Sequence, residues 1–421
     1  MFISVKNLGK IETAGIEIDA ITVIAGENNS GKSTVGKALF CIFNSFYDIN
    51  RQINDERLSI IESRLPRRFE LRELAESIVE NKDKYINDKS LLQQDLTNQL
   101  VQNDPDSVDS EEFDLDEIAN KIVNYLEVSD DKISAVVLRK KMQAEFNMQI
   151  NNLHHPEKES EIVLKIKETD VMVRIGNNEN IVVENQINLN TEVIYFDDPH
   201  AMDNLRNARF PYMNQNYPTH REHLRSCLKK GKASSLVKEA LDEIVATKKL
   251  GKVYEKLNSV CPGEMVSKTR RPYINRESFA YRENDTDVLI DITNVSTGLK
   301  AFIVVKTLLL NGCLEEKGTI VLDEPEKHLH PEWQLVFAEL IVLIQKEFNM
   351  HILINTHSPY FLDAIDVYSR NHGIAGRCKY YLAENSGTTS KIRDVSNNIE
   401  KIYQKLAKPL QDLENARYAD D

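Results

Sequence analysis

Residues 26–33 read GENNSGKS, which sets two glycines, a lysine and a hydroxyl at the spacing of a phosphate-binding loop. The apolar run at 21–25 precedes this loop and favours a buried strand, while residues 37–43 favour a helix. In that context backbone N–H groups point at phosphate oxygens, and the helix N-terminus adds partial positive charge. A chance glycine turn before a helix is the alternative, and the flanking elements make it the weaker one. The sequence therefore predicts that the chain binds ATP or GTP.

The residues of this loop have separate predicted tasks. Lys32 is expected to reach the β- and γ-phosphates, and Ser33 is expected to offer its hydroxyl to Mg²⁺. ATP and Mg²⁺ are accordingly the predicted ligands. The predicted nucleotide-binding residues of the loop are Gly26, Asn28, Asn29, Ser30, Gly31, Lys32, Ser33 and Thr34.

Two carboxylates far downstream follow a second apolar run. Residues 318–322 read GTIVL and lead into Asp323 and Glu324. Phosphoryl transfer depends mainly on positioning and electrostatics, so Asp323 is expected to hold Mg²⁺ through water beside Ser33. Glu324 is expected to polarise the water that attacks the γ-phosphate. We predict that these carboxylates complete an ATPase site with the glycine loop.

A third apolar run, residues 351–354, ends in Asn-Thr-His-Ser-Pro. If its strand lies beside the strand that leads into Asp323, then His357 can contact the γ-phosphate and sense its loss. A satisfied structural histidine is the alternative, and the surrounding Thr-His-Ser-Pro motif favours the functional interpretation. For His328 and His330, both interpretations stay open.

Residues 294–300 read NVSTGLK and precede a stretch that favours a helix. A serine and a glycine that open a helix can form an anion site from backbone N–H groups. An ordinary N-cap is the alternative, since Ser and Thr favour that position. Ser296 and Gly298 are therefore candidate phosphate-contacting residues.

Taken in order, the segments GENNSGKST, NVSTGLK, IVLDEPEKHLHPEWQ and NTHSP resemble those of the ABC-type ATPases of the RecF, SMC and overcoming-lysogenization-defect (OLD) group. The resemblance covers residues 1–47 and 278–385. It implies that Asp323 binds Mg²⁺, that Glu324 activates water and that His357 is the switch histidine.

The same resemblance implies a dimer. In that group a Ser-x-Gly segment crosses to the partner's γ-phosphate, which here falls on Ser296 and Gly298. The segment after the catalytic glutamate forms the dimer contact, which here falls on His328 to Pro331. A homodimer of heads, or a larger ring of dimers, is therefore expected. Two departures are clear: the glutamine that helps to ligate Mg²⁺ has no identifiable counterpart, and the signature reads STGLK rather than a double-glycine form.

The pattern of strands and helices predicts an α/β protein, with an ABC-type P-loop head made of a mixed sheet and an antiparallel β lobe. The head is predicted at residues 1–47 and 153–385. Residues 48–152 contain no glycine and are rich in Leu, Ile, Glu, Lys and Gln, which predicts an inserted helical region. Residues 386–421 are predicted as a C-terminal helical tail, too short for the TOPRIM domain of OLD nucleases.

The net charge of −13 argues against a protein that coats nucleic acid uniformly. From Arg221 to Arg282, however, fifteen Lys and Arg stand against seven Asp and Glu, which indicates a nucleic-acid-binding surface or a solvated helical face. The sequence shows no apolar run of membrane-spanning length, no secretory pattern and no paired spacing of its five cysteines. We therefore expect a cytoplasmic protein without a membrane partner.

Stand-alone ATPases that the chain resembles accompany effectors in bacterial anti-phage systems such as PARIS, Septu and retron-associated modules. The leading hypothesis is therefore an ATP-switched sensor and scaffold that dimerises with nucleotide and controls a separate effector, a nuclease or a toxin. A DNA-repair or DNA-end-binding ATPase of the RecF/SMC type is the alternative, with the basic region on phosphates. A transporter ATPase is disfavoured by the helical insertion and by the Thr-His-Ser-Pro motif.

Overall fold

The computed structural model describes residues 1–65, 71–103, 114–203, 217–230, 248–269, 277–284, 286 and 288–418. The chain divides into two compact units. The first comprises Met1–Asn44, Lys141–Asn185 and Thr191–Asp421, and the second comprises Ser45–Lys140 and Gln186–Asn190.

All strands of the described residues belong to the first unit. They are β1 (Phe2–Leu8), β2 (Ile11–Glu17), β3 (Ile21–Gly26), β4 (Ser160–Ile166), β5 (Thr169–Gly176), β6 (Asn180–Glu184), β7 (Val193–Phe196), β8 (Glu264–Thr269), β9 (Glu277–Arg282), β10 (Leu289–Asp291), β11 (Thr319–Asp323), β12 (His351–Thr356), β13 (Lys379–Ser386) and β14 (Thr389–Asp394). Eleven of them form one sheet in the order β6-β5-β4-β1-β2-β14-β13-β3-β12-β11-β7. The other three form a small antiparallel sheet in the order β10-β9-β8.

The large sheet is antiparallel at one end and parallel at the other. β13, β3, β12, β11 and β7 all run in the same direction. β3, β7 and β11 are buried at every residue, as expected for parallel strands that are covered on both faces. Because these strands are parallel, their carboxyl ends meet at one edge of the sheet.

The α-helices of the described residues occur in both units. They are α1 (Lys32–Phe46), α2 (Ile49–Arg64), α3 (Leu71–Glu80), α4 (Lys82–Asn87), α5 (Lys89–Asn103), α6 (Leu115–Leu126), α7 (Asp130–Glu145), α8 (His220–Lys229), α9 (Lys248–Val260), α10 (Thr297–Leu310), α11 (Pro331–Phe348), α12 (Pro359–Asn371) and α13 (Glu400–Tyr418). In the core of the first unit, Phe302 of α10 packs edge-on against Trp333 and Phe337 of α11, with ring centroids 5.7 and 5.2 Å away.

Local capping explains where the helices near the sheet edge begin. Ser296 and Ser358 accept hydrogen bonds from the backbone N–H groups of Leu299 and Phe361, so they cap α10 and α12. α11 and α12 each start with a proline, whose fixed φ suits the first helical position and whose missing N–H needs no partner there. The sequence thus sets these starts close to the ends of β11 and β12.

The second unit is helical and has its own apolar core, which includes Ile61, Ile78 and Leu92. The buried guanidinium of Arg57 binds the loop between α6 and α7. It donates to the carbonyls of Leu126 and Val128 at 3.1 and 2.7 Å and pairs with Asp130 at 2.7 Å. A buried charge of this kind needs such partners, because desolvation without them is strongly unfavourable.

The predicted α/β class, with its mixed sheet and antiparallel lobe, is confirmed. Four segments differ from the predicted division of the chain. Residues 45–47 and 186–190, assigned to the head, belong to the second unit. Residues 141–152, assigned to the insertion, belong to the first unit, where Asn152 N–H donates to the carbonyl of Asn7 and Gly9 N–H donates to that of Ile150. Residues 389–394, assigned to the helical tail, form β14 and pair in parallel with β2. The predicted helix follows at 400–418.

Candidate functional site

The glycine loop connects β3 to α1 and is tightly enclosed. A Cβ at Gly26 would lie 2.4 Å from the carbonyl oxygen of Ala383 on β13. Gly31 has a φ of +83°, and a Cβ there would lie 2.7 Å from Cγ1 of Ile11. Both positions therefore require glycine, the first because of packing and the second because of backbone conformation as well.

The four side chains predicted between and beside these glycines lie in different environments. Asn28 and Asn29 are exposed, and Asn29 has a φ of +58° while its carbonyl accepts a 2.7 Å hydrogen bond from Lys10. Ser30 is buried, and its hydroxyl donates to the carbonyl of Glu27 at 2.7 Å. Thr34 N–H donates to the carbonyl of Gly31. The loop is therefore ordered by its own polar groups, and its two asparagines face outward.

Lys32 is only 5% exposed and folds back on the loop. Its Nζ donates to the carbonyls of Gly26 and Glu27 at 3.0 and 2.8 Å. Burial lowers the pKa of this ammonium, while the charges of Glu324 and Asp323 act in the opposite direction. The amine is therefore held over the loop by neutral acceptors and faces carboxylates from the neighbouring strands.

β11 and β12 bring the predicted carboxylates and histidine to the same edge as the loop. Asp323 at the end of β11 is in register with Asn355 of β12, and β12 pairs in turn with β3. Asp323 is 9% exposed, and its Oδ2 accepts a 2.7 Å hydrogen bond from the hydroxyl of Tyr195. Its Oδ1 is buried and has no hydrogen-bond partner among the described residues. One oxygen of Asp323 is thus held in place and the other is available.

Glu324 adopts a left-handed backbone conformation, with a φ of +51°. Its N–H donates to the carbonyl of Asn355 at 2.8 Å, and its carboxylate lies 3.2 Å from Nδ1 of His357. Non-glycine residues in this conformation carry strain, and such strain is concentrated at functional sites. This conformation turns the chain directly after Asp323. The adjacent residues Asp323 and Glu324 therefore both line the same cavity.

A third carboxylate, that of Glu326, lies close to His357. Glu326 is 3% exposed, and one of its oxygens accepts a hydrogen bond from the hydroxyl of Thr356. Burial raises the pKa of Glu326, against the opposing effect of that hydrogen bond. His357 is partly exposed, with Nδ1 4.0 Å from the same oxygen. The imidazole therefore lies between the half-buried carboxylate of Glu324 and the buried carboxylate of Glu326.

Asp323 and Glu324 line a cavity of about 500 Å³ in the first unit, whereas Lys32 and His357 are not part of its lining. Ser33, which is exposed, lies on its wall together with Asp323 and Glu324. The lining is strongly polar, and includes Lys37 of α1 and Lys327 from the segment after β11. Three of the predicted residues, distant in sequence, thus share one opening at the sheet edge.

Two further residues that line the cavity, Tyr195 and His220, were not predicted as site residues from the sequence. His220 starts α8, and its two ring nitrogens lie 2.6 Å from Glu145 and 3.1 Å from Asp197. Burial alone would lower the pKa of His220, but the hydrogen bonds to Asp197 and Glu145 outweigh it and raise that pKa. Burial also opposes ionisation of Asp197, yet hydrogen bonds from His220 and Arg221 lower its pKa to about 2. The Asp-Asp-Pro segment after β7 was the one sequence signal near them.

Ser296 and Gly298 lie elsewhere in the first unit and are not part of the cavity lining. Ser296 is exposed, and its hydroxyl caps its own helix. Gly298 is buried, and a Cβ there would lie 3.1 Å from the carbonyl oxygen of His328 and 3.3 Å from the ring of Trp333. The start of α10 is therefore seated on the segment that follows Glu324.

The basic region from Arg221 to Arg282 falls partly outside the described residues, at 231–247 and 270–276. Among those that the structure describes, Arg221 pairs with Asp197, Lys256 with Glu339 and Arg282 with Glu264. Cations paired in this way contribute less to an open positive surface than the sequence count implies.

The geometry agrees with a comparison against protein families, in which the model of the AAA ATPase domain matches residues 1–362. The chain therefore belongs to the AAA ATPase domain family. It is also similar to an OLD nuclease of Thermus scotoductus, with 36% identity over 84 residues, which is 20% of this chain and 16% of the nuclease.

Two solved structures cover nearly the whole chain at low identity. One is an SMC head bound to the C-winged helix domain of ScpA, with 12% identity, 95% of this chain and 98% of that chain covered, and a TM-score of 0.44. The other is the SMC head domain from Thermotoga maritima, with 12% identity and a TM-score of 0.37. This match covers 94% of this chain and 98% of that chain. In the described part of the chain, no helix has the length and apolar character needed to cross a membrane.

The His220 network predicts a pH-dependent contribution to stability. A histidine whose pKa is raised in the folded state stabilises fully below its unfolded value, near 6.5, and loses this contribution as the pH rises through the folded value. His220→Gln should therefore have a lower free energy of unfolding than the native chain. The difference between the two free energies should be largest at about pH 6.5 and below, and it should shrink as the pH rises.

Denaturant unfolding at a series of pH values, followed by fluorescence of Trp333, measures this gap, because that residue is the only tryptophan and lies in the first unit. His155→Gln is the control, since the side chain of His155 is 40% exposed and its ion pair among the described residues is with the exposed Glu157. A gap for His220→Gln that stays constant across this pH range would contradict the proposed network.

Proposed function

We propose that this chain binds ATP with Mg²⁺ and hydrolyses it at the edge where β3, β11 and β12 end. One observation carries the proposal. The buried lysine of the glycine loop donates to two loop carbonyls and is near the buried carboxylate of Asp323, whose Oδ1 has no partner among the described residues. Phosphate oxygens of a nucleotide could replace the two carbonyls bound to Lys32, and its metal ion could bind Oδ1 of Asp323.

Lys32 is the group that would bind the phosphates. Its bonds to the carbonyls of Gly26 and Glu27 are to neutral acceptors. Charge-assisted hydrogen bonds to phosphate are about twice as strong as those between neutral groups. We infer that ATP draws the ammonium away from the two carbonyls and onto its β- and γ-phosphates.

Asp323 and Ser33 are the residues that would hold Mg²⁺. Asp323, whose Oδ1 has no partner among the described residues, and the exposed Ser33 line one cavity, and hard cations prefer oxygen ligands. When bound, the metal neutralises charge on the phosphates. Tyr195 holds Oδ2 of Asp323, so the carboxylate is already oriented.

Glu324 and His357 would act on the water and the γ-phosphate. The left-handed backbone at Glu324 aims its carboxylate into the cavity next to Asp323, where it can orient and polarise a water molecule. His357 lies 3.2 Å from that carboxylate and is partly exposed, so it can exchange this contact for one to the γ-phosphate. Phosphoryl transfer needs little beyond such positioning and charge.

Changes at Lys32 and Glu324 should separate binding from turnover. Lys32→Ala should abolish ATP binding, because it removes the phosphate ligand. Glu324→Gln should bind ATP with nearly unchanged affinity and lower kcat by about 10²- to 10⁴-fold, the usual effect of losing a general base. Fluorescent-nucleotide binding and phosphate release measure the two quantities. Lys10→Ala is the matched control, since Lys10 bonds the same loop from outside; normal turnover in Glu324→Gln would refute its assignment.

We further propose that ATP joins two heads, with Ser296 and the backbone at Gly298 of one chain reaching the γ-phosphate bound by the other. Ser296 is exposed at the start of α10, as this contact requires. Gly298 packs closely on His328, and the segment that contains His328 directly follows Glu324. This packing supports a link between hydrolysis at Glu324 and the proposed dimer contact at Ser296 and Gly298. Nucleotide-dependent movement of that segment would reach the proposed dimer contact.

Light scattering with ATP should therefore find a dimer of Glu324→Gln, which traps the bound nucleotide. Adding Ser296→Arg should return it to the size of the nucleotide-free protein while ATP still binds, because a bulky cation would occupy the interface. The control substitution is Asn397→Arg, at an exposed residue after β14. Equal dimerisation of the two arginine variants would argue against this interface.

The biological role that we propose is a switch in a bacterial anti-phage defence complex, in which the ATP-bound dimer holds a separate effector, a nuclease or a toxin. The similarity to an OLD nuclease over 84 residues supports this class, as does the order of the motifs. A DNA-end-binding ATPase of the RecF/SMC type is the second candidate. The ion pairs of Arg221, Lys256 and Arg282 weigh against it.

Affinity capture from the native host distinguishes these roles. Glu324→Gln with ATP should retain one specific protein that Lys32→Ala does not retain, because only the former stays in the ATP-bound state. Capture of salt-sensitive DNA, with no such protein, would replace the defence role by the second candidate. ATPase and dimerisation measurements on the same variants show separately whether the switch itself is correct.

A further inference from the structure

A second group of potential metal ligands lies in the first unit, apart from Ser33 and Asp323. Asp198 and His200 belong to the segment after β7, and His328 belongs to the segment after Glu324. One ligand atom from each of these three residues lies within 4.8 Å of the others. Both imidazoles are exposed and the carboxylate is half-buried, so an ion can reach all three.

The surroundings of His200 are those of a metal-binding imidazole. Its Nδ1 lies 2.7 Å from a carboxylate oxygen of Asp203, and the other oxygen of Asp203 pairs at 2.7 Å with the buried ammonium of Lys300. A carboxylate on one ring nitrogen fixes the tautomer and directs the other nitrogen to a metal. Nε2 of His200 is therefore the atom that we assign as the ligand.

Asp198 is oriented by a similar device. One of its carboxylate oxygens accepts a 2.8 Å hydrogen bond from the backbone N–H of His200, which leaves the other oxygen for an ion. Arg221 of α8, which lines the same cavity as Asp198, donates at 2.6 and 2.8 Å to Asp197 instead. The neighbouring cation is thus already paired with a different carboxylate.

The donor set defines the class of metal. Two imidazoles and one carboxylate suit Zn²⁺, Co²⁺ or Ni²⁺, whereas Mg²⁺ prefers oxygen ligands alone. Tetrahedral Zn²⁺ with bonds of about 2.1 Å holds its ligand atoms about 3.4 Å apart. The rings of His200 and His328 now meet edge to face with centroids 5.9 Å apart. The ligand atoms lie within 4.8 Å of one another, and because both imidazoles are exposed, small rotations can bring these atoms to the separation that Zn²⁺ needs.

We propose that Asp198, His200 and His328 bind one divalent transition-metal ion, of which Zn²⁺ is the best fit, at a site separate from Mg²⁺. Three protein ligands leave a fourth position open. Asp198 and His328 also line the cavity of Asp323 and Glu324, so the ion lies at its wall. It joins the segment after β7 to the segment after Glu324 and sits beside Thr297, whose hydroxyl is 3.4 Å from Nε2 of His200.

Direct metal binding tests this proposal without reference to ATP hydrolysis. Tag-free protein, stripped of metal and kept free of nucleotide, is titrated with Co²⁺ in excess Mg²⁺, and the visible absorption of Co²⁺ is recorded. Zn²⁺ titration by calorimetry gives the stoichiometry. One ion per chain should bind, and His200→Ala and His328→Ala should each weaken binding at least about tenfold.

His330→Ala is the matched control, because His330 is exposed two residues from His328 and lies outside the ligand group. It should leave metal binding unchanged, and thermal unfolding without metal should be alike for all variants. Absence of Co²⁺ binding, binding that survives both ligand substitutions, or an equal loss in His330→Ala would overturn the proposal. Conservative His328→Gln should behave as His328→Ala, since an amide is a poor ligand for Zn²⁺.

Discussion

The candidate site depends on one constraint, the parallel register of β3, β12 and β11. Asp323 lies opposite Asn355, and Thr356 lies opposite Ala25, so the glycine loop, the carboxylates and the histidine all follow the ends of neighbouring strands. Because parallel strands share one carboxyl edge, residues that are distant in sequence converge without any local signal. A slip of one residue would turn each side chain to the other face and would move Asp323 out of register with Asn355.

The groups at this edge are held in an arrangement that is costly without a ligand. A buried ammonium at Lys32 depends on two carbonyls, Asp323 keeps one oxygen unpartnered among the described residues, and Glu324 has a strained backbone. Buried charges and left-handed non-glycine residues persist only where the surrounding structure imposes them. Here the completely buried strands supply that constraint. The packing energy of the sheet thus maintains a polar cavity that is organised before anything binds.

The parts that the sequence predicted are those whose signal is local. The glycine loop and the carboxylate pair each combine a short motif with an adjoining apolar strand, and periodicity alone indicated most strands. Tyr195 and His220 could not be found in this way, since a tyrosine in a buried strand and a histidine at a helix start are ordinary by themselves. β14 was missed because TSKIRD is short and has a single apolar residue, and only its pairing with β2 and β13 makes it a strand of this sheet.

The sequence by itself predicted the class of site, because phosphate binding needs glycines, lysine and a hydroxyl at fixed spacing along one turn of chain. It also determined the apolar strands that carry this turn and the carboxylates. Tertiary structure decided which oxygen of Asp323 is available, how Glu324 is aimed and which carboxylates hold His220. It alone brought Asp198 and His200 to His328. The reason is that these relations arise from side chains on separate segments, whose distances depend on sheet order and helix packing rather than on spacing in the chain.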